Sequence, residues 1–186
     1  MARTPIPGTR ENILSAASDL FYRHGVRAVG MAQVIEAAGC GKNLLYRHFP
    51  SKAHLAAAYL TLVRERRDRS IATALKTAGD PAGQLIALVT EVADLVRSPE
   101  YRGCAFRNHL TEFPGEDDEP ARVARAYLRD TRAQVDLLVA ALGKPDRDAD
   151  RIWLLIGGLH GDPGQAAVAI EWVTELVSEP GPLPPP

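Results

Sequence analysis

The sequence predicts an all-α protein, and three observations lead to this prediction. Apolar residues recur at the three- and four-residue spacing of helices along most of the chain. Glycine and proline fall between these segments, where helices begin and end. No stretch of any length alternates apolar and polar residues as a β-strand does, and no internal repeat is present. We therefore expect helices joined by short turns, without a sheet.

Three helices are predicted in the N-terminal quarter. The first begins with Thr9 as its N-cap and runs to about His24, where Gly25 ends it. One face of this helix carries an apolar stripe of Ile13, Leu14, Ala17, Leu20 and Phe21. Two short helices follow, over Met31–Ala38 and Lys42–Phe49.

The remainder of the chain is predicted to be helical up to a proline-rich end. Pro50 and Ser51 restart the chain into a long helix that reaches Thr77, with Ser51 as its cap. Further helices are predicted over 81–97, about 101–112, 119–142, 147–160 and 165–178. The composition of residues 180–186 predicts a disordered or polyproline-like tail. The expected domains are therefore 1–52, 53–179 and this tail.

Composition is typical of a globular protein in a reducing compartment. Of the 186 residues, 46% are hydrophobic and 24% are charged. No run approaches the roughly 18 apolar residues of a membrane span, and the N-terminus lacks the apolar run of a secretory signal. Cys40 and Cys104 are too few for a disulfide scaffold. We therefore expect a cytoplasmic protein that does not contact a membrane.

The charge is distributed unevenly along the chain. Residues 1–52 hold seven Lys and Arg against three Asp and Glu, a net charge of +4. The other 134 residues hold 15 basic and 20 acidic groups, a net charge of −5. A basic segment at one end of an acidic chain suggests contact with a polyanion at that end.

The two short helices are predicted to form a helix-turn-helix. They join across residues 38–41, where glycine permits a sharp turn. The first helix can support them through its apolar stripe, with Val34, Ala38, Leu45 and Phe49 facing inward. The polar face of the second short helix is then free to enter a DNA major groove. This face carries Lys42, Asn43, Tyr46 and Arg47.

This region resembles the TetR family of bacterial regulators. The resemblance is carried by Leu44-Leu-Tyr-Arg-His-Phe-Pro-Ser-Lys52 after an Ala-Gly turn, preceded by Leu20-Phe21 and His24-Gly25-Val26, and covers about residues 9–60. It implies that Lys42, Asn43, Leu44 and Arg47 lie near base edges. It implies that Tyr46, His48 and Lys52 lie mainly on phosphates. Gln33, on the preceding helix, completes the predicted DNA-contacting set.

The chemistry of these residues agrees with most of those roles. Lys42 and Arg47 carry charge for phosphates or guanine acceptors, and Asn43 can pair with adenine. Lys52 starts a helix, an unfavourable place for a cation unless a phosphate also lies there. Two alternatives stay open: Tyr46 packs against the first helix, and His48 makes a structural hydrogen bond.

Three positions depart from the family pattern. Gly30 replaces a usual Thr or Ser, Gly41 replaces a usual Ser at the cap of the recognition helix, and Asn43 replaces a usual Gly. The first two changes remove hydroxyls that cap helices and touch phosphate. The operator sequence and the affinity for it therefore stay open.

For the C-terminal part, the resemblance implies a ligand pocket in the middle helices and a dimer interface from the last two. Residues 152–159 are apolar all round, and Gly157 and Gly158 would let helices approach closely. The last helix carries a matching stripe of Ala166, Ala169, Ile170, Val173 and Val177. The alternative is that these residues form only an intramolecular core.

The expected small-molecule site lies around residues 101–112. Polar groups on an apolar wall are what such a site needs, and the predicted wall residues are Phe106, Asn108, His109 and Tyr127. Alternatives are that Cys104 is a buried small hydrophobe and that His109 is a hydrogen-bonded structural residue. The charged run over 64–69 is expected to be a solvated helix face with i,i+4 pairs.

The sequence contains no recognisable catalytic, cofactor or metal motif. The favoured interpretation is a homodimeric regulator that binds a double-stranded DNA operator. It is expected to act as a repressor that a small-molecule effector releases from this operator. A second hypothesis is an enzyme or ligand carrier whose helix-turn-helix no longer binds DNA. A third is a DNA-bound redox sensor that uses Cys104.

Overall fold

The computed structural model describes residues 8–178, and this part of the chain is all-α, as predicted. The helices are α1 Thr9–His24, α2 Met31–Ala37, α3 Lys42–His48, α4 Lys52–Ala78, α5 Pro81–Arg97, α6 Ala105–Glu112, α7 Glu119–Ala141, α8 Asp146–Gly161 and α9 Ala166–Ser178, with a 3-10 turn over Pro163–Gln165. Over residues 8–178, none of these helices combines the length and the apolar character that a membrane crossing needs.

Most predicted helix bounds lie within one or two residues of the observed ones, with two corrections. Thr9 is the first residue of α1 rather than its cap, and Gly8 occupies the cap position. The helix predicted to begin near residue 101 begins at Ala105, because Gly103 adopts a left-handed conformation (φ 97°) that interrupts it. The predicted tail over 180–186 lies outside the described residues.

The first compact unit contains residues up to Arg64 together with Cys104–Ala126. In it, α1 packs against α2 and α3, which also pack against each other. The interior of this three-helix arrangement is formed by Ile13, Ala17, Phe21, Val34 and Leu45, all buried. Helices as short as α2 and α3 are unstable in isolation, so their packing on α1 holds them in place.

The turn between α2 and α3 is fixed by specific contacts. The Asn12 side-chain amide donates to the Ala38 carbonyl at 3.1 Å and so satisfies the end of α2. Gly39 lies in the left-handed region at φ 60°, which glycine adopts without strain. The Arg10 guanidinium lies 5.1 Å from the centre of the Phe49 ring. These contacts attach both short helices to α1.

The second compact unit contains Glu65–Gly103 and the chain from Tyr127 onward. Its core is built from α5, α8 and α9, which pack against one another. Fully buried members include Leu85, Leu88, Val89, Ile152 and Leu159. The unit therefore has an apolar interior of its own.

The prediction that the α9 stripe forms a dimer interface is wrong for its central residues. Ala166, Ala169 and Val173 are buried in the core of the second unit. The helix is apolar at this spacing because it packs on α5 of the same chain. Different residues of these helices are exposed instead: Leu154 is 73% exposed and Trp172 is 54% exposed.

The conformation of Gly41 generates a prediction about helix capping. Gly41 is the N-cap of α3 with φ −81° and ψ 149°, and an added Cβ would meet nothing within 4 Å. A serine there can cap α3 and restrict the unfolded chain, so Gly41→Ser should raise the free energy of unfolding by about 0.5–1 kcal/mol. Urea denaturation measures this gain.

The matched control is Gly39→Ser, two residues earlier in the same turn. The space beside Gly39 is equally open, but its φ of 60° is unfavourable for a side chain. This variant should lose about 1 kcal/mol. Stabilisation by both serines, or by neither, would contradict the capping argument.

Candidate nucleic-acid interface

One face of α3 is buried and the opposite face is open to solvent. Leu45 and Phe49 are buried beneath the helix. Lys42, Asn43 and Arg47 are exposed, and the Tyr46 side chain is 39% exposed. The exposure of Tyr46 opposes the alternative that it packs against the first helix. Four of the predicted DNA-contacting residues therefore share one accessible surface.

The other two predicted residues of this helix are less accessible. Leu44 and His48 are both half-buried. The Nε2 atom of His48 is enclosed and has no hydrogen-bond partner among residues 8–178. This nitrogen therefore makes no structural hydrogen bond in that part of the chain, and it can reach a phosphate only if the ring turns outward.

Gln33 has a structural contact besides its predicted role. Its side-chain oxygen accepts a hydrogen bond from the Gly30 backbone N–H at 2.7 Å. This is one half of a capping box, and the other half is missing because glycine has no hydroxyl. Gly30 has φ −86°, which any residue can adopt. Gln33 nevertheless stays exposed on the surface of α2.

Lys52 is the first residue of α4, and its ammonium group lies on another turn of the chain. Lys52 Nζ donates to the Arg27 carbonyl at 3.1 Å. Burial lowers the pKa of Lys52, while the Glu112 carboxylate opposes this change. Ser51 caps the helix as predicted, because its hydroxyl accepts from the His54 N–H at 3.3 Å.

A contact that the sequence did not predict joins the α1–α2 turn to the end of α6. The Arg27 N–H donates to Glu112 Oε2 at 2.6 Å, and its guanidinium donates to the Glu112 carbonyl. The same guanidinium lies 5.0 Å from the centre of the Phe113 ring. Arg27 and Glu112 are 85 positions apart, so no local sequence signal pairs them.

Gly25 is required where this contact forms. Its φ is 83°, and an added Cβ would lie 2.7 Å from the Glu112 carboxylate. The sequence predicted Gly25 only as a helix end. Its second role is to admit the Glu112 side chain against the turn.

The first unit also contains a cavity of about 450 Å³ beside this contact. Its lining residues are Val26, Arg27, Lys52, Ala53, Ala56, His109, Phe113, Asp118 and Pro120. Of the four predicted ligand-wall residues, only His109 lines this cavity. Phe106 and Tyr127 are buried elsewhere, and Asn108 is half-buried.

His109 is buried without a hydrogen-bond partner in the described part of the chain. Its side chain is 3% exposed, and neither ring nitrogen is paired there. The alternative that it is a hydrogen-bonded structural residue is therefore wrong for residues 8–178. Its ring packs against Phe113 with centres 4.9 Å apart. Burial lowers the pKa of His109, although Asp118 and Glu112 oppose this change.

Two other candidate features have ordinary structural roles. Cys104 is buried directly before α6, as the alternative for this residue expected. In the charged run over 64–69, Arg67 pairs with Glu91 of α5 at 2.7 Å, and both side chains are largely buried. The expectation of solvated i,i+4 pairs is therefore wrong for Arg67. Residues 8–178 hold no group of three or more His, Cys, Asp or Glu able to bind a metal ion.

A buried three-helix support under an exposed polar helix defines a helix-turn-helix DNA-binding protein, and comparison with known proteins gives the family. The model of bacterial regulatory proteins of the tetR family matches residues 13–59. TtgR of Pseudomonas putida, an HTH-type transcriptional regulator, is 34% identical over 135 residues, covering 71% of this chain and 64% of TtgR.

Similarity extends beyond the helix-turn-helix. An uncharacterised HTH-type transcriptional regulator of Mycobacterium tuberculosis is 29% identical over 154 residues, covering 74% of this chain and 76% of that protein. The crystal structure of a TetR-family transcriptional regulator from Streptomyces coelicolor has a TM-score of 0.85 at 28% identity, covering 92% of this chain and 96% of that one. The chain belongs to the TetR family and is an HTH-type transcriptional regulator.

The burial of His109 generates a prediction about pH. Its pKa is lowered from the ordinary value of 6.5, so the unfolded chain binds this proton more readily than the folded chain. The contribution of the neutral ring to the free energy of unfolding is complete above the ordinary pKa. It is lost as the pH falls from there through the lowered pKa of the folded state. Between about pH 7.5 and 5.5, the free energy of unfolding should fall more in the wild type than in His109→Gln.

Urea denaturation at the two pH values measures this difference. His24→Gln replaces an exposed histidine at the end of α1 and serves as the control. It should keep the wild-type pH dependence. The argument fails if wild type and His109→Gln lose the same stability on acidification.

Proposed function

We propose that the protein is a homodimeric repressor that binds a palindromic operator and is released from it by a small-molecule effector. The observation that carries this proposal is the exposed polar face of α3 above buried Leu45 and Phe49. A short helix presented in this way fits a major groove. Family membership supports the DNA-binding part, and repression and effector release are our proposals. Because its target is DNA, we place the protein in the cytoplasm.

The side chains of α3 provide the chemistry for reading bases. Lys42 and Arg47 can donate to guanine acceptors, and Asn43 can pair with adenine. The apolar Leu44 can contact a thymine methyl group. Tyr46 and Lys52 are proposed to contact phosphates, which would fix orientation without reading sequence. Gln33 and His48 complete the proposed contact set from the neighbouring surface.

Dimerisation is supported by exposed apolar residues in the second unit. Leu154 on α8 and Trp172 on α9 are largely exposed, although each belongs to a helix that packs in the core. Gly158 lies one turn after Leu154, and an added Cβ there would meet nothing within 4 Å. A second copy of the chain packed on this open side would bury both residues. The exposed residues of α8 and α9 therefore form the proposed interface.

A dimer explains how an effector can act without touching DNA. Two recognition helices must lie about 34 Å apart to reach successive major-groove faces. An effector that favours another spacing therefore weakens operator binding. A preference of a few kcal/mol between the two conformers is enough to shift the population.

The first prediction here concerns DNA affinity. Lys52→Ala removes a proposed phosphate contact, so it should weaken binding to all sequences and reduce the salt slope by about 1. Tyr46→Phe should also weaken binding without changing sequence preference. Fluorescence anisotropy with an operator fragment from the upstream region of the gene, at several salt concentrations, measures both effects.

Lys76→Ala is the matched control, since Lys76 is an exposed lysine in the last turn of the same helix. It should leave affinity and salt slope unchanged. Wild-type affinity in both Tyr46→Phe and Lys52→Ala would refute the contact assignment. Failure of the wild type to bind any operator would favour the hypothesis of a ligand carrier or enzyme.

The second prediction concerns assembly. Light scattering should give a mass about twice the 20.1 kDa of the chain. Leu154→Glu places a charge in the proposed apolar interface and should dissociate the dimer, because such a charge costs several kcal/mol. Leu137→Glu is the control, because Leu137 is 72% exposed, about as much as Leu154, but lies on α7, outside the proposed interface of α8 and α9. It should stay dimeric, and a monomeric wild type would exclude the interface.

A further inference from the structure

We propose that the cavity beside the α1–α2 turn binds a small aromatic carboxylate, held by His109 and Lys52. This site lies within the first compact unit, next to the helix-turn-helix, and is distinct from the wall predicted around Phe106, Asn108 and Tyr127. Its volume of about 450 Å³ is in the usual range for small-molecule sites.

The unpaired ring of His109 is the first observation that points to a ligand. Both ring nitrogens are buried and have no partner within residues 8–178. A buried polar group without a hydrogen bond is destabilising, and each such group calls for an explanation. His109 is one of the residues that line the cavity, so a ligand there can supply the missing partner when the ring turns toward it.

Lys52 supplies the second polar anchor. Lys52 lines the cavity, and its ammonium group donates to the Arg27 carbonyl at 3.1 Å. An ammonium group has three N–H donors, so two are left for a further acceptor. A neutral imidazole adds one N–H donor of its own. The polar groups facing the cavity therefore offer more donors than acceptors.

The two nearby carboxylates are already engaged by backbone groups. Asp118 accepts from the Ala121 N–H at 3.1 Å, and Glu112 accepts from the Arg27 N–H at 2.6 Å. They balance the charges of Arg27 and Lys52 but add no donor toward the cavity. A carboxylate ligand would accept from Lys52 and from His109 in a charge-assisted contact.

The remaining lining selects an apolar, flat body for the ligand. Val26, Ala53, Ala56 and Pro120 present aliphatic surface, and Phe113 presents a ring. An aromatic ring can pack against Phe113 and bury its surface against the small side chains. An amine would instead meet the cations Arg27 and Lys52, while the lining carboxylate of Asp118 already accepts from the Ala121 N–H.

Occupancy of this site would compete with DNA for Lys52. The same ammonium group is a proposed phosphate contact, and a carboxylate bound in the cavity would partly neutralise its charge and hold it away from the DNA. The cavity lining also includes Arg27 and Phe113, whose side chains contact each other. A bound carboxylate would therefore weaken operator binding. This part of the inference rests on the proposed function, whereas ligand binding itself does not.

Calorimetric titration of the full chain without DNA tests the site, with 2-naphthoate as the probe. We expect one saturable site per chain, with 2-naphthamide and 2-naphthylmethylamine each binding at least about tenfold more weakly. Lys52→Met and His109→Phe should each weaken 2-naphthoate by about tenfold or more. Lys76→Met and His24→Phe are the matched controls and should bind as the wild type does.

A second measurement uses the wild-type protein alone, so it does not depend on whether a variant folds. In the wild-type protein, 2-naphthoate should shift the ring NMR signals of one of the five histidines and leave the exposed His24 unchanged. Absence of binding, tighter binding of the amine, or unchanged affinity in folded Lys52→Met and His109→Phe would overturn the site.

In anisotropy titrations, 2-naphthoate should lower operator affinity in the wild type. Saturable binding without that effect would keep the site and remove its coupling to DNA.

Discussion

The burial of Leu45 and Phe49 is the constraint on which the DNA-binding surface depends. Helix α3 has seven residues, too few to be stable as an isolated helix in water. It forms because its apolar side chains pack into the interior shared with α1 and α2. Burial on one side determines the rotation of the helix, since residues three and four apart share a face. Lys42, Asn43, Tyr46 and Arg47 are exposed as a consequence.

The same constraint explains why glycine at the two cap positions is tolerated. Gly30 and Gly41 both have backbone conformations that any residue adopts, so neither glycine is needed for the fold. The missing hydroxyls cost only a few tenths of a kcal/mol each. Packing of Val34 and Leu45 contributes far more, since burying one such side chain contributes about 1.5–3 kcal/mol. The helix-turn-helix therefore forms without its usual caps.

Sequence patterns predicted what depends on local spacing. The positions of the helices follow from apolar periodicity and from glycine and proline, and the exposed face of α3 follows from the inward positions of Leu45 and Phe49. Local spacing predicts a start of α6 that is too early, because nothing local shows that Gly103 adopts a positive φ. The α9 stripe wrongly predicts a contact with a partner chain, because an apolar face does not reveal which surface covers it.

Local sequence patterns do not predict contacts between residues that are far apart in the sequence. Arg27 and Glu112 lie 85 positions apart, and neither belongs to a motif. The residue type of His109 predicts a polar group in a pocket, yet more than half of the other lining residues come from the α1–α2 turn and from α4. Only the folded chain brings Val26, Lys52 and His109 to one cavity. A site assembled in this way has no sequence signature, whereas the helix-turn-helix, contained in one short segment, has a clear one.

The position of Lys52 unites the two proposals about this protein. A cation in the first turn of a helix faces the positive end of the helix dipole, which opposes its charge. Burial opposes the charge further and lowers the pKa of Lys52, with the Glu112 carboxylate acting against this. The Arg27 carbonyl satisfies one of its N–H groups, but a neutral oxygen compensates a cation only in part. An anion at this place, whether a DNA phosphate or a ligand carboxylate, would be favoured by the lysine and by the helix start together. The physical basis of both proposals is therefore the same: Lys52 is a partly buried cation with N–H groups left for a further acceptor, so that two anions available to it compete.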